Sequence, residues 1–268
     1  MKEFSYPEQV LLRETTLDAI MQPLMENNPQ AHLHSRMVAG SVMMMSELYS
    51  QNPNNGFTSE TCDKAYVSAL LHDLGKGNRA WVALLQGRPI QSNNDMVISA
   101  DHTLLGSMRL KTFENKKILD DEFLEISRFI AKNHHTTAKY KQESHLANTK
   151  ALFNDQAIIN EYPRIKNWDE LYDILMMIKI ADALDSCTNN MPGKIPKPDT
   201  GYIRSIATAV PHIRLQFEGE AENLRKERFD KKFLGVFDLL AEQMIQYEQL
   251  MQGAYAPKTK APDVSRAF

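Results

Sequence analysis

Apolar residues recur three and four positions apart through most of this chain, the period of an amphipathic helix, while strand-like alternation is scarce. The first such stripe predicts a helix over residues 7–26, with Val10, Leu11, Leu17, Ile20, Met21 and Leu24 on its apolar side. A second helix begins beside Pro29, a residue suited to a first turn, and runs to about Tyr49. After the loop "QNPNNGFTSE", Ser59 or Thr58 caps a third helix that carries "AYVSALLHDLGKG" and stops at Gly75. A short helix over 78–86 ends at "GRP", and the polar loop "IQSNNDMVISAD" follows. Helices over about 101–113 and 121–134 come next, then the polar segment "HHTTAKYKQESH". A helix near 169–187 leads into "TNNMPGKIPKPDTGY", a loop by its prolines and glycines, and a long polar helix over about 216–252 closes the pattern. The last fifteen residues read as loose. The fold class is therefore all-α.

Composition narrows the function classes. A chain of 268 residues with 43% hydrophobic and 24% charged residues has the make-up of an ordinary globular protein. Its net charge of -3 gives no overall basic surface for nucleic acid. Basic stretches are local: "RLKTFENKK", "KYK", "GKIPK" and "LRKERFDKK". Two cysteines, Cys62 and Cys187, are too few for a disulfide framework or a cysteine zinc site. No signal pattern opens the sequence, and no apolar run approaches the roughly 18 residues of a membrane span. The expectation is a reduced, cytoplasmic protein without a membrane partner.

Seven positions carry candidate chemistry. His34 shares a helix face with Val38 and Val42, and His72 and Asp73 close an apolar helix. His102 opens a helix; His134 continues the row Phe123, Ile126, Ile130, with His135 beside it. Asp182 falls on the row Leu175, Ile178, the core side of its helix, where an unpaired carboxylate is costly. Imidazoles and carboxylates without thiolates suit Mn, Fe, Ni, Co or Zn. Five imidazoles and two carboxylates exceed the needs of one ion, and a two-metal site with one bridging Asp uses them economically.

The ordered set His, His-Asp, His, His-His, Asp resembles the HD-domain superfamily of metal-dependent phosphohydrolases, named for the doublet that is His72–Asp73 here. "ALLHDLGK" matches its central motif, "IKIADALDS" its closing Asp motif, and "HLHSRMVA" its opening His. "DHTLLGS" and "AKNHHT" match the extra histidines of the two-metal branch. The resemblance implies a helical bundle over about residues 30–190, preceded by an N-terminal helix in 1–29 and followed by a loop and C-terminal helix in 191–268. It implies one ion held by His34, His72, Asp73 and Asp182, and a second by Asp73, His102, His134 and His135. It implies that a metal-bound hydroxide attacks phosphorus, with Asp73 bridging the ions and Lys76 contacting a phosphate oxygen.

Two branches are similar. The cyclic di-GMP phosphodiesterases with a Gly-Tyr-Pro motif share the histidines, but here "HHTTAKYKQES" carries neither a Glu after the double His nor that motif. The single-stranded DNA nuclease of type I CRISPR systems is similar through "HDLGKGNRAWVALLQG". The expected substrate is a phosphorylated small molecule or nucleic acid, with a non-catalytic ligand-binding module as the alternative from another class. Residues 192–198 follow the Asp182 helix and are expected to act as a lid. The stripe Phe233, Val236, Leu240, Met244, Tyr247 packs on the bundle or pairs two copies as a homodimer.

Overall fold

The computed structural model describes residues 8–86, 101–114, 116, 119–135, 145–188, 205–218 and 229–255. Among the described residues the elements are α1 (Glu8–Asn27), α2 (Pro29–Ser50), α3 (Ser59–Leu71), α4 (Arg79–Leu85), α5 (His102–Lys111) and α6 (Asp121–Asn133). They continue as α7 (His145–Phe153), α8 (Gln156–Glu161), α9 (Trp168–Cys187), α10 (Ile206–Glu218) and α11 (Leu234–Tyr255), with no β-strand. The segments "KYK" and "GKIPK", the lid at 192–198 and residues 256–268 lie outside the described residues. Val10 and Leu11 lie outside those with described side chains.

Local chemistry sets the helix starts. Asn28 caps α2 by accepting from the Ala31 amide at 3.2 Å, with Pro29 behind it. Thr58, rather than Ser59, caps α3 through a reciprocal capping box with Thr61. Asp101, Asp120 and Asn167 cap α5, α6 and α9 with side-chain oxygens that accept from backbone amides of the first turn. Gly56, at φ 67°, supplies the left-handed residue that turns the chain toward α3.

α9 runs through the middle of the bundle and is apolar almost all round: Leu171, Ile174, Leu175, Met177, Ile178 and Ile180 are each fully buried. It packs against α2, α3 and α10; α3 also packs on α2 and α6, and α5 on α6. The core joins Leu17, Ile20, Met21 and Leu24 of α1 to Phe233, Phe237 and Leu240 of the C-terminal segment.

Three expectations change. The helix bearing the doublet ends at Leu71 rather than Gly75, and the chain continues as a 3-10 turn over Leu74–Gly77. Gly75 is not a left-handed cap. It is glycine because a Cβ there would lie 1.8 Å from the His102 carbonyl oxygen and 2.6 Å from the Gly106 nitrogen. At Gly77 a Cβ would lie 2.6 Å from the Leu24 backbone, so the turn is seated between α5 and α1. The Asn27 and Asn28 side-chain amides donate to the Gly77 and Lys76 carbonyls at 2.9 and 3.3 Å.

Secondly, the segment after the double His holds two short helices, α7 and α8, that no long stripe announces. They are held by aromatic edge contacts joining Phe129, Phe153, Trp168 and Tyr162, at centroid separations of 5.3 to 6.0 Å. Thirdly, the expected closing helix over 216–252 is not one helix among the described residues: α10 ends at Glu218, residues 219–228 lie outside the described residues, and α11 starts at Leu234. Asp230 caps a 3-10 turn over Lys231–Phe233, and Phe217 of α10 meets Phe229 and Phe237. Phe233, Val236 and Leu240 are buried in the chain's own core, while Tyr247 is 65% exposed.

The turn before α11 is also tied by polar groups. Lys232 pairs with Asp173 of α9, whose other oxygen accepts the Tyr49 hydroxyl at 3.2 Å. Burial raises the Asp173 pKa despite these partners, so each donor matters. Tyr49→Phe lowers the unfolding free energy by about 1 kcal/mol, readable in a urea titration; an unchanged midpoint would show the bond contributes nothing.

Candidate metal centre

Five separate helices bring the sequence-selected residues to one place. α2 presents His34 from its second turn, and α3 hands over His72 and Asp73 as its backbone tightens into the 3-10 turn. α5 begins with His102, pressed toward the doublet because Gly75 and Gly106 leave no side chains between the two backbones. α6 ends into His134 and His135, and α9 supplies Asp182 one turn before its end. The imidazoles then pack ring to ring: His34–His72 at 5.4 Å, His72–His134 at 5.0 Å, His134–His102 at 5.5 Å and His102–His135 at 5.2 Å.

Asp73 lies at the centre and is 1% exposed. Its Oδ1 faces His102 Nε2 and His134 Nε2, each at 3.4 Å. Its Oδ2 faces His34 Nε2 at 3.4 Å and His72 Nε2 at 3.5 Å, with the Lys76 ammonium at 2.5 Å. His34 Nε2 also lies 3.1 Å from Asp182 Oδ1. The donors fall into two groups able to hold an ion, Asp73 with His102, His134 and His135, and His34 with His72 and Asp182. Within each, one ligand atom per residue lies within 4.8 Å of all the others.

The proton positions favour coordination. His72 Nδ1 lies 2.6 Å from the Ala69 carbonyl oxygen and His134 Nδ1 lies 3.1 Å from that of Ala131. A carbonyl only accepts, so Nδ1 carries the proton in both rings and Nε2 turns a lone pair inward. Burial lowers the His72 pKa to about 4 and the His135 pKa to about 3, keeping both imidazoles neutral. Burial also works against charge on Asp73, but the neighbouring His72 and Lys76 hold its pKa well below the usual carboxylate range. Asp182 is likewise depressed, chiefly by its hydrogen bond with His34 against the effect of burial. His34 is the opposite case: burial lowers its pKa, yet Asp182 and Asp185 outweigh that and raise it to about 9. Three carboxylates converging on one imidazole form a place where positive charge is stabilised.

Four buried atoms in the cluster have no hydrogen-bond partner among the described residues: His72 Nε2, Asp73 Oδ1, His102 Nε2 and His134 Nε2. Burying even one such atom costs about 1–3 kcal/mol. A cation in the His102, His134 and Asp73 group would satisfy three of them and a cation in the His34, His72 and Asp182 group the fourth, so the donor set fits a metal.

All seven sequence-selected positions meet here, and Lys76 meets Asp73. His32 and the exposed His212 lie outside the two groups. Asp185 escaped the sequence reading: its Oδ2 lies 2.6 Å from His34 Nδ1. The available signal was its place one turn beyond Asp182 on the same helix. Trp81 of α4 also escaped it, with its ring centroid 4.8 Å from that of His102.

Among the described residues no helix is long and apolar enough to cross a membrane. The residues that carry the resemblance to the HD-domain superfamily thus form one cluster in an all-α bundle. No protein-family profile and no curated protein matches the chain. Among solved structures, the chain is similar to the HD domain of the L. monocytogenes phosphodiesterase PgpH, crystallised in complex with cyclic-di-AMP. That similarity has 15% identity and a TM-score of 0.46, and covers 91% of this chain and 100% of the other.

Proposed function

We propose that the chain is a metal-dependent phosphohydrolase that cleaves a phosphodiester or phosphomonoester of a nucleotide or nucleic acid, using two divalent transition ions. The observation that supports this most is the division of Asp73, one oxygen toward His102 and His134 and the other toward His34 and His72. One ion is held by His34, His72, Asp73 and Asp182, the other by Asp73, His102, His134 and His135. Such ions lower the pKa of bound water and offset charge on a phosphoryl group.

The chain's own residues prepare that chemistry. Backbone carbonyls fix the His72 and His134 tautomers, and burial keeps the His72 and His135 imidazoles unprotonated. The Lys76 side chain is 25% exposed, enough to swing from Asp73 to a phosphate oxygen while remaining beside the cluster.

The test is hydrolysis of bis-p-nitrophenyl phosphate after stripping with a chelator and reloading with Mn, Fe, Ni, Co or Zn one at a time. Stripped protein is expected to release no p-nitrophenol, and at least one ion to restore release. No release with any ion would sink the enzyme reading and favour a ligand-binding module. With an active ion identified, single-stranded DNA, cyclic dinucleotides and mononucleotides presented in parallel divide the substrate classes.

A further inference from the structure

The histidines of the cluster are braced in two different ways. His72 and His134 give their Nδ1 protons to backbone carbonyls of their own helices. His34 gives its Nδ1 proton to a carboxylate on another helix, Asp185 Oδ2 at 2.6 Å, with both side chains about nine-tenths buried. The same imidazole directs Nε2 toward Asp182 Oδ1, so α9 grips both edges of the His34 ring, one turn apart. Among the described residues no carboxylate accepts from Nδ1 of His102 or His134, whose Nε2 atoms share Asp73 Oδ1.

We infer that Asp185 is a positioning residue for the ion held by His34, His72 and Asp182, and not for the ion held with His102, His134 and His135. This rests on the two-ion reading above. The carboxylate fixes the Nδ1–H tautomer of His34, locks the ring plane across the α2–α9 contact, and makes Nε2 a stronger donor. Residues that brace ligating histidines in this way typically change metal affinity about 10–100-fold when removed.

Co(II) titration, followed by calorimetry and by visible absorption, tests this on the full chain. Wild type is expected to bind in two separable steps. Asp185→Ala should weaken one step toward the ~100-fold end of that range and leave the other unchanged; Asp185→Asn, which keeps an acceptor for Nδ1–H, should sit near ~10-fold. Thermal unfolding of the stripped proteins should remain close to wild type. Equal weakening of both steps, or a collapse of stripped-protein stability, would assign Asp185 a structural role and overturn the inference. Unchanged binding in both variants overturns it as well. Failure of the wild type to bind Co(II) would instead reject the two-ion reading itself.

Discussion

Asp73→Ala is expected to lose both metal ions together and to reduce phosphoester hydrolysis to the level of the stripped protein. The reason is geometric. Among the described residues Asp73 is the one carboxylate whose two oxygens face the two histidine groups, at 3.4–3.5 Å from four imidazole nitrogens. Among the described residues, its removal leaves the His102, His134 and His135 group without a carboxylate and the other group with Asp182. Elemental analysis of the purified proteins reads this directly, with about two equivalents expected in wild type, as in other paired-ion sites, and none in the variant. Asp182→Ala removes a donor from one group only, so it should spare the ion beside His102. Two equivalents retained in Asp73→Ala would mean that the metal lies elsewhere.

Gly75→Ala has the second large effect, through packing rather than charge. A single methyl group would be set 1.8 Å from the His102 carbonyl oxygen, 2.6 Å from the Gly106 nitrogen and 2.8 Å from the His102 carbonyl carbon. All three are backbone atoms of α5, so no rotamer change relieves the contact. Either α5 moves away, carrying His102 with it, or the turn behind Asp73 opens. Overpacking of this kind costs roughly 3 kcal/mol or more. For a chain of this size that lowers the unfolding temperature by about 10 °C. Loss of the ion beside His102 should accompany it. Differential scanning calorimetry with metal analysis checks both, and a wild-type transition with full metal content would show that the turn tolerates a side chain.

Much of this protein was legible in its sequence because the signals were local or periodic. α1, α2, α6 and α9 each bury one stripe or nearly their whole circumference, and their period and caps locate them to within a few residues. The seven candidate ligands were legible because histidines and aspartates on apolar faces or at helix ends are costly without a partner. α7 and α8 were not legible, since each is too short to display a stripe and both depend on aromatic contacts with α6 and α9. The break between α10 and α11 was hidden for a related reason. Leu and Met at helical spacing run on past Phe233, while the start of α11 is set by a capped turn and by Phe217 meeting Phe229 and Phe237.

The sequence by itself determined that the chain is helical, where most of its helices begin, and which titratable side chains are costly to bury without a partner; helical period, capping and the cost of buried charge act over a few residues. Only the tertiary structure decided that Asp73 turns one oxygen to each histidine group, that Gly75 is glycine for the sake of α5 rather than as a helix cap, and that Asp185 grips His34 from the far side. Those three facts depend on contacts across 27 to 151 positions of chain, which no local pattern encodes.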